Sequence, residues 1–514
     1  MGRDGLIGSW ARYLHHCRTV GPEDAGRRLR EERKTRKIRE SKARGPVLQE
    51  AERKAQEAAA KAGGIRFRAV FLEKDVPEEA RKAAEDSLDR QTWPAGDENA
   101  DWVVFLEPDG WLHPAALYAC ARAAEETGAD LVYTDEAYFT EAPGDRDTPY
   151  FKPDYGPDSL KACNYIGPFL ACRRSLLRDA GAENYVAMDA GERWDAVIRM
   201  ARTARAVCHV PEALYYRRVP MGEETPLPAV RHVAEPVRGE PLVSILIPNR
   251  DHREDLKRCL DSIREKTAYG RYEILVIENN SVEEETFRYY EELEADPRIR
   301  VITREGAFNY SAVNNAGFRE ARGEQILLLN NDTEVISPDW IREMLMFTQQ
   351  EDVGAAGAKL YYPDGTIQHA GIGIGIMIAA GHYHRGFQGD SPGYFNRLRY
   401  AQEVSAVTGA CMMIPRHVYE EMNGLDEGFS LMFNDVDLCL RIREAGYRIL
   451  WTPWAELVHH ESKSRGADDA DPEKQRFLVR ETNRFLRKWH RTLEAGDPYY
   501  NPNLTRERED FSLR

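Results

Sequence analysis

From Leu242 onward the chain alternates short apolar runs with amphipathic stretches, and few folds accommodate that alternation. The order reads strand (242–247), helix (252–266), strand (273–277), helix (283–294), strand (299–302), helix (310–321) and strand (326–329). This is the pattern of an α/β domain built on a sheet. An earlier alternation opens at Phe67-Arg68-Ala69-Val70-Phe71-Leu72 and closes near Val219. Between the two lie Pro220, Pro226, Pro228, Pro236 and Pro241, which mark an extended linker over 220–241.

The two α/β stretches repeat each other. Trp102-Val103-Val104-Phe105-Leu106-Glu107-Pro108-Asp109 lines up with Ile326 to Asp332, and Trp194-Asp195-Ala196-Val197-Ile198-Arg199 with Val436-Asp437-Leu438-Cys439-Leu440-Arg441. The first copy is shortened: between its first helix (80–90) and Trp102 there is no room for counterparts of 273–321. Arg193 also stands where the second copy has Asp435, so the first copy is expected to be catalytically silent. The expected organisation is a charged helical or disordered segment (1–63), a truncated domain (64–219), the linker (220–241), a catalytic domain (242–490) and a C-terminal tail (491–514).

A chain of 514 residues is too long for one core, which agrees with this division. The net charge of −15 and a pI near 5.5 argue against a nucleic-acid binder, because phosphate affinity needs clustered Lys and Arg. An anionic substrate therefore needs a local cation. The eight cysteines include no C-x-x-C pair, which indicates neither a zinc site nor a disulfide framework and fits a reducing cytosol. No apolar run reaches membrane-spanning length and no signal peptide is read, so a cytoplasmic protein is expected, with any membrane contact peripheral, at the inner face of the plasma membrane. The charged run Arg27-Arg28-Leu29-Arg30-Glu31-Glu32-Arg33-Lys34 could make that contact, but a solvated helical tail is the commoner explanation of such a run.

In an open α/β sheet, ligands gather at the carboxyl ends of the strands. Four such ends here carry polar groups: Pro248-Asn249-Arg250-Asp251, Glu278-Asn279-Asn280-Ser281, Asn330-Asn331-Asp332 and Leu457-Val458-His459-His460-Glu461-Ser462. Each alone is an ordinary turn former, but four together point to a site. Asp332 with His459 makes an open site for Mg2+ or Mn2+ that leaves positions for phosphate oxygens. Asn330 occupies the first position of this acidic turn, so Asp332 carries most of the protein's charge at the ion. Asp435, expected as the N-cap of a helix over 436–446, suits a general base. Asp437 is expected to buttress Arg441 four residues on. Thr408-Gly409-Ala410 allows a close backbone approach. The Gly-, aromatic- and basic-rich segment 381–399 reads equally as a mobile lid or an ordinary loop.

Across about 242–466 the ordered series Ser244-Ile245-Leu246-Ile247-Pro248, Glu278-Asn279-Asn280-Ser281, Asn314-Asn315-Ala316-Gly317, Leu329-Asn330-Asn331-Asp332, Thr408-Gly409-Ala410-Cys411, Asn434-Asp435-Val436-Asp437 and His459-His460-Glu461-Ser462 resembles the inverting glycosyltransferases of family 2. These have the GT-A fold, a Rossmann-like mixed sheet. The subgroup it is most similar to is the bacterial rhamnosyltransferase-like enzymes of O-antigen and other cell-surface polysaccharide synthesis. The resemblance implies a nucleoside diphosphate, linked to uridine or deoxythymidine, against Pro248, Arg250, Glu278 and Asn280, with Asn315 nearby and Asn330 and Asn331 completing the donor set. It implies metal at Asp332 and His459, Asp435 as base, and an acceptor, a saccharide or lipid-linked saccharide, near Thr408, Gly409 and Asp437. Many relatives have Asp where Glu278 stands, which leaves the nucleoside open. Two rivals remain, a sugar nucleotidyltransferase and a non-catalytic scaffold that binds glycans or partner transferases. The former would want a Gly-rich basic loop after the first strand, which Asn249-Arg250-Asp251-His252 is not.

Overall fold

The computed structural model describes residues 48–140, 143, 147–460 and 472–514. Within them the chain forms two compact units, one of His232–Asp497 with Thr505–Arg514, the other of residues 48–231 with Pro498–Leu504. The expected segment 1–63 falls mostly outside the described residues; its end forms the charged helix Glu50–Lys61, none of whose residues is buried.

The C-terminal unit is the mixed α/β sheet of the expected GT-A class. Its strands run in the order Ile299–Thr303, Tyr272–Glu278, Val243–Asn249, Gln325–Leu329, Cys411–Pro415, Val353–Tyr361, Arg448–His459 and Thr333–Val335. The first four are parallel neighbours; Cys411–Pro415 then runs antiparallel to Gln325–Leu329. Gln325–Leu329 sits at the centre, with all five residues buried. Burying each of its Ile and Leu side chains stabilises the fold by roughly 1.5–3 kcal/mol. Helix Arg253–Lys266 covers one face with Leu256, Cys259, Leu260 and Ile263, spaced at three and four residues as an amphipathic helix requires. Helix Tyr310–Glu320 approaches the sheet closely, because a Cβ on Gly317 would lie only 2.8 Å from Ile277.

Helix Asn434–Glu444 starts earlier than the expected 436–446. Its N-cap is Phe433, in the left-handed region at φ +61°, and Asp435 lies inside the first turn. The expected capping role for Asp435 is therefore corrected. Residues 381–399 are packed rather than free: Tyr383, His384, Arg397 and Leu398 are buried, His384 stacks on Phe511 at 4.3 Å, and the His382 amide donates to Glu509 at 2.7 Å.

The N-terminal unit carries a seven-stranded sheet ordered Phe67–Phe71, Trp102–Leu106, Leu170–Arg173, Leu131–Phe139, Val207–Arg218 and Trp111–Leu112, with Thr148–Tyr150 beside Leu131–Phe139. Taken along that path, the strand directions repeat those from Val243–Asn249 to Thr333–Val335 in the other sheet. Among the described residues it has no counterparts of Tyr272–Glu278 and Ile299–Thr303, the truncation expected from the repeat. Among the described residues of either unit, no helix is long and apolar enough to cross a membrane.

Candidate active site

Strand Gln325–Leu329 ends at Asn330, whose amide donates to the Ala410 carbonyl at 3.1 Å and whose carbonyl accepts from the Thr333 hydroxyl at 2.9 Å. The tight turn swings Thr333 into antiparallel register with His459, and the His460 amide closes it by donating to the Asp332 carbonyl at 2.9 Å. As a result His459 Nε2 lies 3.1 Å from Asp332 Oδ1. The tautomer follows from the other ring nitrogen, since Nδ1–H donates to Gln368 Oε1 at 2.7 Å in a buried contact. Nε2 then keeps its lone pair, towards which Asn330 Nδ2 donates at 3.2 Å. Asp332 Oδ1 is deeply set and has no hydrogen-bond partner, because Nε2 meets it without a proton between them.

Two lone pairs facing each other at this distance repel unless a cation lies within reach of both. A carboxylate oxygen and an imidazole nitrogen suit Mn2+, or Mg2+ with more water. Among the described residues no group of three or more His, Cys, Asp and Glu could hold a metal; Asp332 and His459 are the pair of such side chains that meets at these strand ends. Burial works to raise the Asp332 carboxyl, but the contact with His459, its own backbone amide and the charge of His460 hold it below the ordinary range. It is an anion in the folded chain.

Asp435 lies on the far side of a short bridge. Its Oδ2 accepts from the Gly409 amide at 2.9 Å and its Oδ1 from the Val436 amide at 2.8 Å. The Gly409 carbonyl accepts from the Tyr310 hydroxyl at 3.0 Å, and that hydroxyl also lies 3.4 Å from Asn330 Oδ1. Asp332, His459, Asn330, Tyr310, Gly409 and Asp435 are thus linked in one series of contacts. Burial, then the negative charge of Asp435 and, more weakly, that of Asp332, drive the Tyr310 hydroxyl far above its usual range, so it stays protonated and donates. Gly409 gives the bridge room, because a Cβ there would lie 3.1 Å from the Tyr310 oxygen, a tight contact, and 3.6 Å from Asp435 Cβ. Thr408 donates its amide towards His369 Nε2 at 3.4 Å, and His369 Nδ1 lies 3.0 Å from His382 Nδ1. Burial, with the neighbouring charge of His382, holds His369 well below its ordinary range, so it is neutral and can accept.

The donor-side residues form a second network. Asn331 Nδ2 donates to Asn249 Oδ1 at 2.6 Å, and Asn249 Nδ2 reaches the Tyr290 hydroxyl at 2.8 Å. That hydroxyl donates to Glu278 Oε2 at 2.7 Å, while Glu278 Oε1 accepts from the Ser281 amide at 2.6 Å. Glu278 is buried within this network. Asn280 takes the left-handed region at φ +66° and donates to the Gly306 carbonyl at 2.6 Å; Arg250 is exposed and Pro248 half-buried. Asp251 Oδ1 caps the segment by accepting from the Val282 and Glu283 amides.

Two expected site residues point elsewhere. Asn315 spends all its hydrogen bonds on Tyr419, Leu425 and Glu427, beside a separate cavity of about 700 Å3 lined by residues such as Phe318, Arg319 and Asn423. Asp437 is fully buried and holds Arg441 at 2.9 Å, as expected, together with Trp489 at 2.9 Å and Lys488 at 2.6 Å, which leaves it no face for an acceptor. Conversely, Tyr310 and Gln368 were not anticipated. Tyr310 had a signal in its place at a helix start, directly after Asn309, which caps by accepting from the Ala312 amide. Gln368 had none. Glu461 and Ser462 lie outside the described residues.

A family profile described as "Glycosyltransferase like family 2" matches residues 240–486. That segment belongs to glycosyltransferase-like family 2. The chain is similar to an uncharacterized protein, y4gI, of Sinorhizobium fredii, 39% identical over 451 residues that make up 80% of this chain and 49% of that protein. The O-antigen biosynthesis protein RfbC of Myxococcus xanthus is 36% identical over 448 residues, 80% of this chain and 34% of RfbC. An N-acetylglucosaminyl-diphospho-decaprenol L-rhamnosyltransferase of Mycobacterium tuberculosis is 29% identical over 125 residues, 23% of this chain and 40% of that enzyme. The chain spans about half the length of the first of these relatives and about a third of the second.

Proposed function

We propose that this chain is an inverting glycosyltransferase that moves a sugar from a nucleoside diphosphate to a saccharide or lipid-linked saccharide acceptor of a cell-surface polysaccharide. L-Rhamnose on a dTDP or UDP carrier is the first donor to test, by analogy with the named rhamnosyltransferase and O-antigen relatives. The observation that carries the reading is the single series of contacts from Asp332 and His459 through Asn330, Tyr310 and Gly409 to Asp435.

Asp332 and His459 are the residues to hold Mg2+ or Mn2+. Such an ion, when bound, supplies positive charge for the departing diphosphate. Asp435 accepts the proton of the acceptor hydroxyl; the freed oxygen bonds to the anomeric carbon as the bond from that carbon to the phosphate oxygen breaks, and its electron pair leaves with the diphosphate. Among the described residues Asp435 is the carboxylate on the acceptor side and none is placed as a nucleophile, which favours inversion. The Gly409 amide keeps the Asp435 carboxylate oriented, and Asn249, Asn280 and Arg250 are polar groups at the strand ends for the nucleotide.

The N-terminal unit is proposed to be silent. Lys74 Nζ lies 2.9 Å from Asp109, the counterpart of Asp332, so a side-chain cation already neutralises that carboxylate. Arg193, the counterpart of Asp435, donates to the Met188 carbonyl instead of offering a base.

The test pairs thermal stabilisation with turnover. With Mn2+, a true donor's nucleotide should stabilise the wild-type chain and Asp435→Asn alike. Transfer by Asp435→Asn should fall by about a hundredfold or more. Near-normal transfer by that variant would show the base assignment to be wrong, and no metal-dependent stabilisation by any nucleotide would remove the donor reading.

A further inference from the structure

The loop that leads into Asp435 is gripped from one helix, Pro472–Lys488. Glu481 on that helix is 4% exposed and turns its carboxylate onto three consecutive backbone amides. Oε1 accepts from Ser430 at 2.5 Å and Leu431 at 3.3 Å, Oε2 from Met432 at 2.7 Å, and the Ser430 hydroxyl adds a contact of 3.0 Å. Four residues on, and so on the same helix face, Phe485 stacks on Phe433 with ring centroids 4.6 Å apart and planes at 21°. Phe433 has φ +61°, a conformation that a bulky side chain adopts only when its surroundings impose it. Asp435 follows two residues later. The grip also reaches Tyr310, whose amide donates to the Ser430 carbonyl at 2.8 Å.

A carboxylate that neutralises three orphan amides forms charge-assisted hydrogen bonds, the strong class, and its burial makes the arrangement costly to leave half-made. Resting on the proposed role of Asp435, we infer that Glu481 is a positioning residue: by binding the amides of 430–432 it holds the strained turn at Phe433 and so keeps the Asp435 carboxylate on the Gly409 amide. It acts at a distance from the substrate and touches no reacting atom.

Full-length Glu481→Gln and Glu481→Ala are compared with wild type by amide hydrogen exchange and by nucleotide release from dTDP-L-rhamnose and UDP-glucose with Mn2+. In Glu481→Ala, exchange at 430–432 and at the Gly409 amide should quicken by about tenfold or more while strand Gln325–Leu329 keeps its protection. The kcat should fall about ten- to a hundredfold with the donor KM within about twofold, the pattern of a misplaced base rather than a damaged donor site. Glu481→Gln should recover part of both effects, since its one carbonyl oxygen still accepts from an amide. If Glu481→Ala unfolds the unit, the Gln variant decides on the same amides. Unchanged protection at Gly409, or wild-type kcat with the loop released, overturns the inference. Should wild type turn over neither donor while Gly409 exchange still answers to Glu481, the donor reading falls and the mechanical link stands.

Discussion

Replacing Gln368 by Leu removes the acceptor that fixes His459. Gln368 is 5% exposed and accepts Nδ1–H at 2.7 Å, which leaves Nε2 with the lone pair that faces Asp332 Oδ1. In Gln368→Leu the ring loses both its tautomer preference and its angular hold, and Nδ1 is left buried without a partner. Loss of such an outer partner costs about ten- to a hundredfold in metal affinity, or roughly 1.4–2.7 kcal/mol. The stranded donor costs about 1–3 kcal/mol in folding stability as well. Both quantities are measurable in one series: thermal unfolding of the full chain with UDP or dTDP across a Mn2+ titration. The midpoint of the metal response should move to about ten- to a hundredfold higher Mn2+, beyond the metal-independent fall in Tm. Asp332→Asn should abolish the response. If Gln368→Leu lowers Tm but leaves the metal midpoint in place, His459 does not bind metal through Nε2 and the site is misread.

Gly409→Ala brings a Cβ to 3.1 Å from the Tyr310 oxygen and 3.6 Å from Asp435 Cβ, and should cut transfer while costing about 1–3 kcal/mol of stability. Tyr310→Phe, which removes that oxygen, should partly relieve the alanine, and a double-mutant cycle showing no coupling would refute the contact. The full chain should bind one Mn2+ per nucleotide-saturated molecule by calorimetry; two would contradict the silence of the N-terminal unit. The pH dependence of stability should carry a contribution from Asp130, whose carboxyl is lowered to about 2 by the hydrogen bonds of Arg205, outweighing burial, with Arg173 adding to it. A depressed carboxyl stabilises the fold above its unfolded pKa and ceases to as pH falls through its folded one, so wild type should lose stability from about pH 4 towards pH 2. Asp130→Asn should be less stable at neutral pH and lose less in that acid window, as urea unfolding at several pH values would reveal.

The alternation of apolar runs with amphipathic stretches was enough to read an α/β sheet and the shortened first copy, because burial on a sheet leaves a local periodic mark; the central place of Gln325–Leu329 came only with the strand pairing. The candidate groups at the strand ends could be named from sequence, since Asp332 and His459 follow apolar runs and Asp435 lies at a helix start. Boundaries were less so. The left-handed Phe433 moved the helix start and took the capping position from Asp435, and no periodicity foretells a left-handed phenylalanine.

What the sequence by itself determined, then, was the class of fold and which functional groups stand at the strand ends. Tertiary structure alone decided which of them meet. Pairing of Thr333 with His459 sets Asp332 against an imidazole, and Gln368 selects that ring's tautomer. Packing spends Asn315 on the 419–427 segment and buries Asp437 among Arg441, Lys488 and Trp489, while Tyr310 and Glu481 acquire roles that neither spacing nor residue type announced. The reason is range: propensity and periodicity act within a few residues, whereas contacts between positions a hundred or more apart follow from strand register and helix packing, which exist only once the sheet has formed.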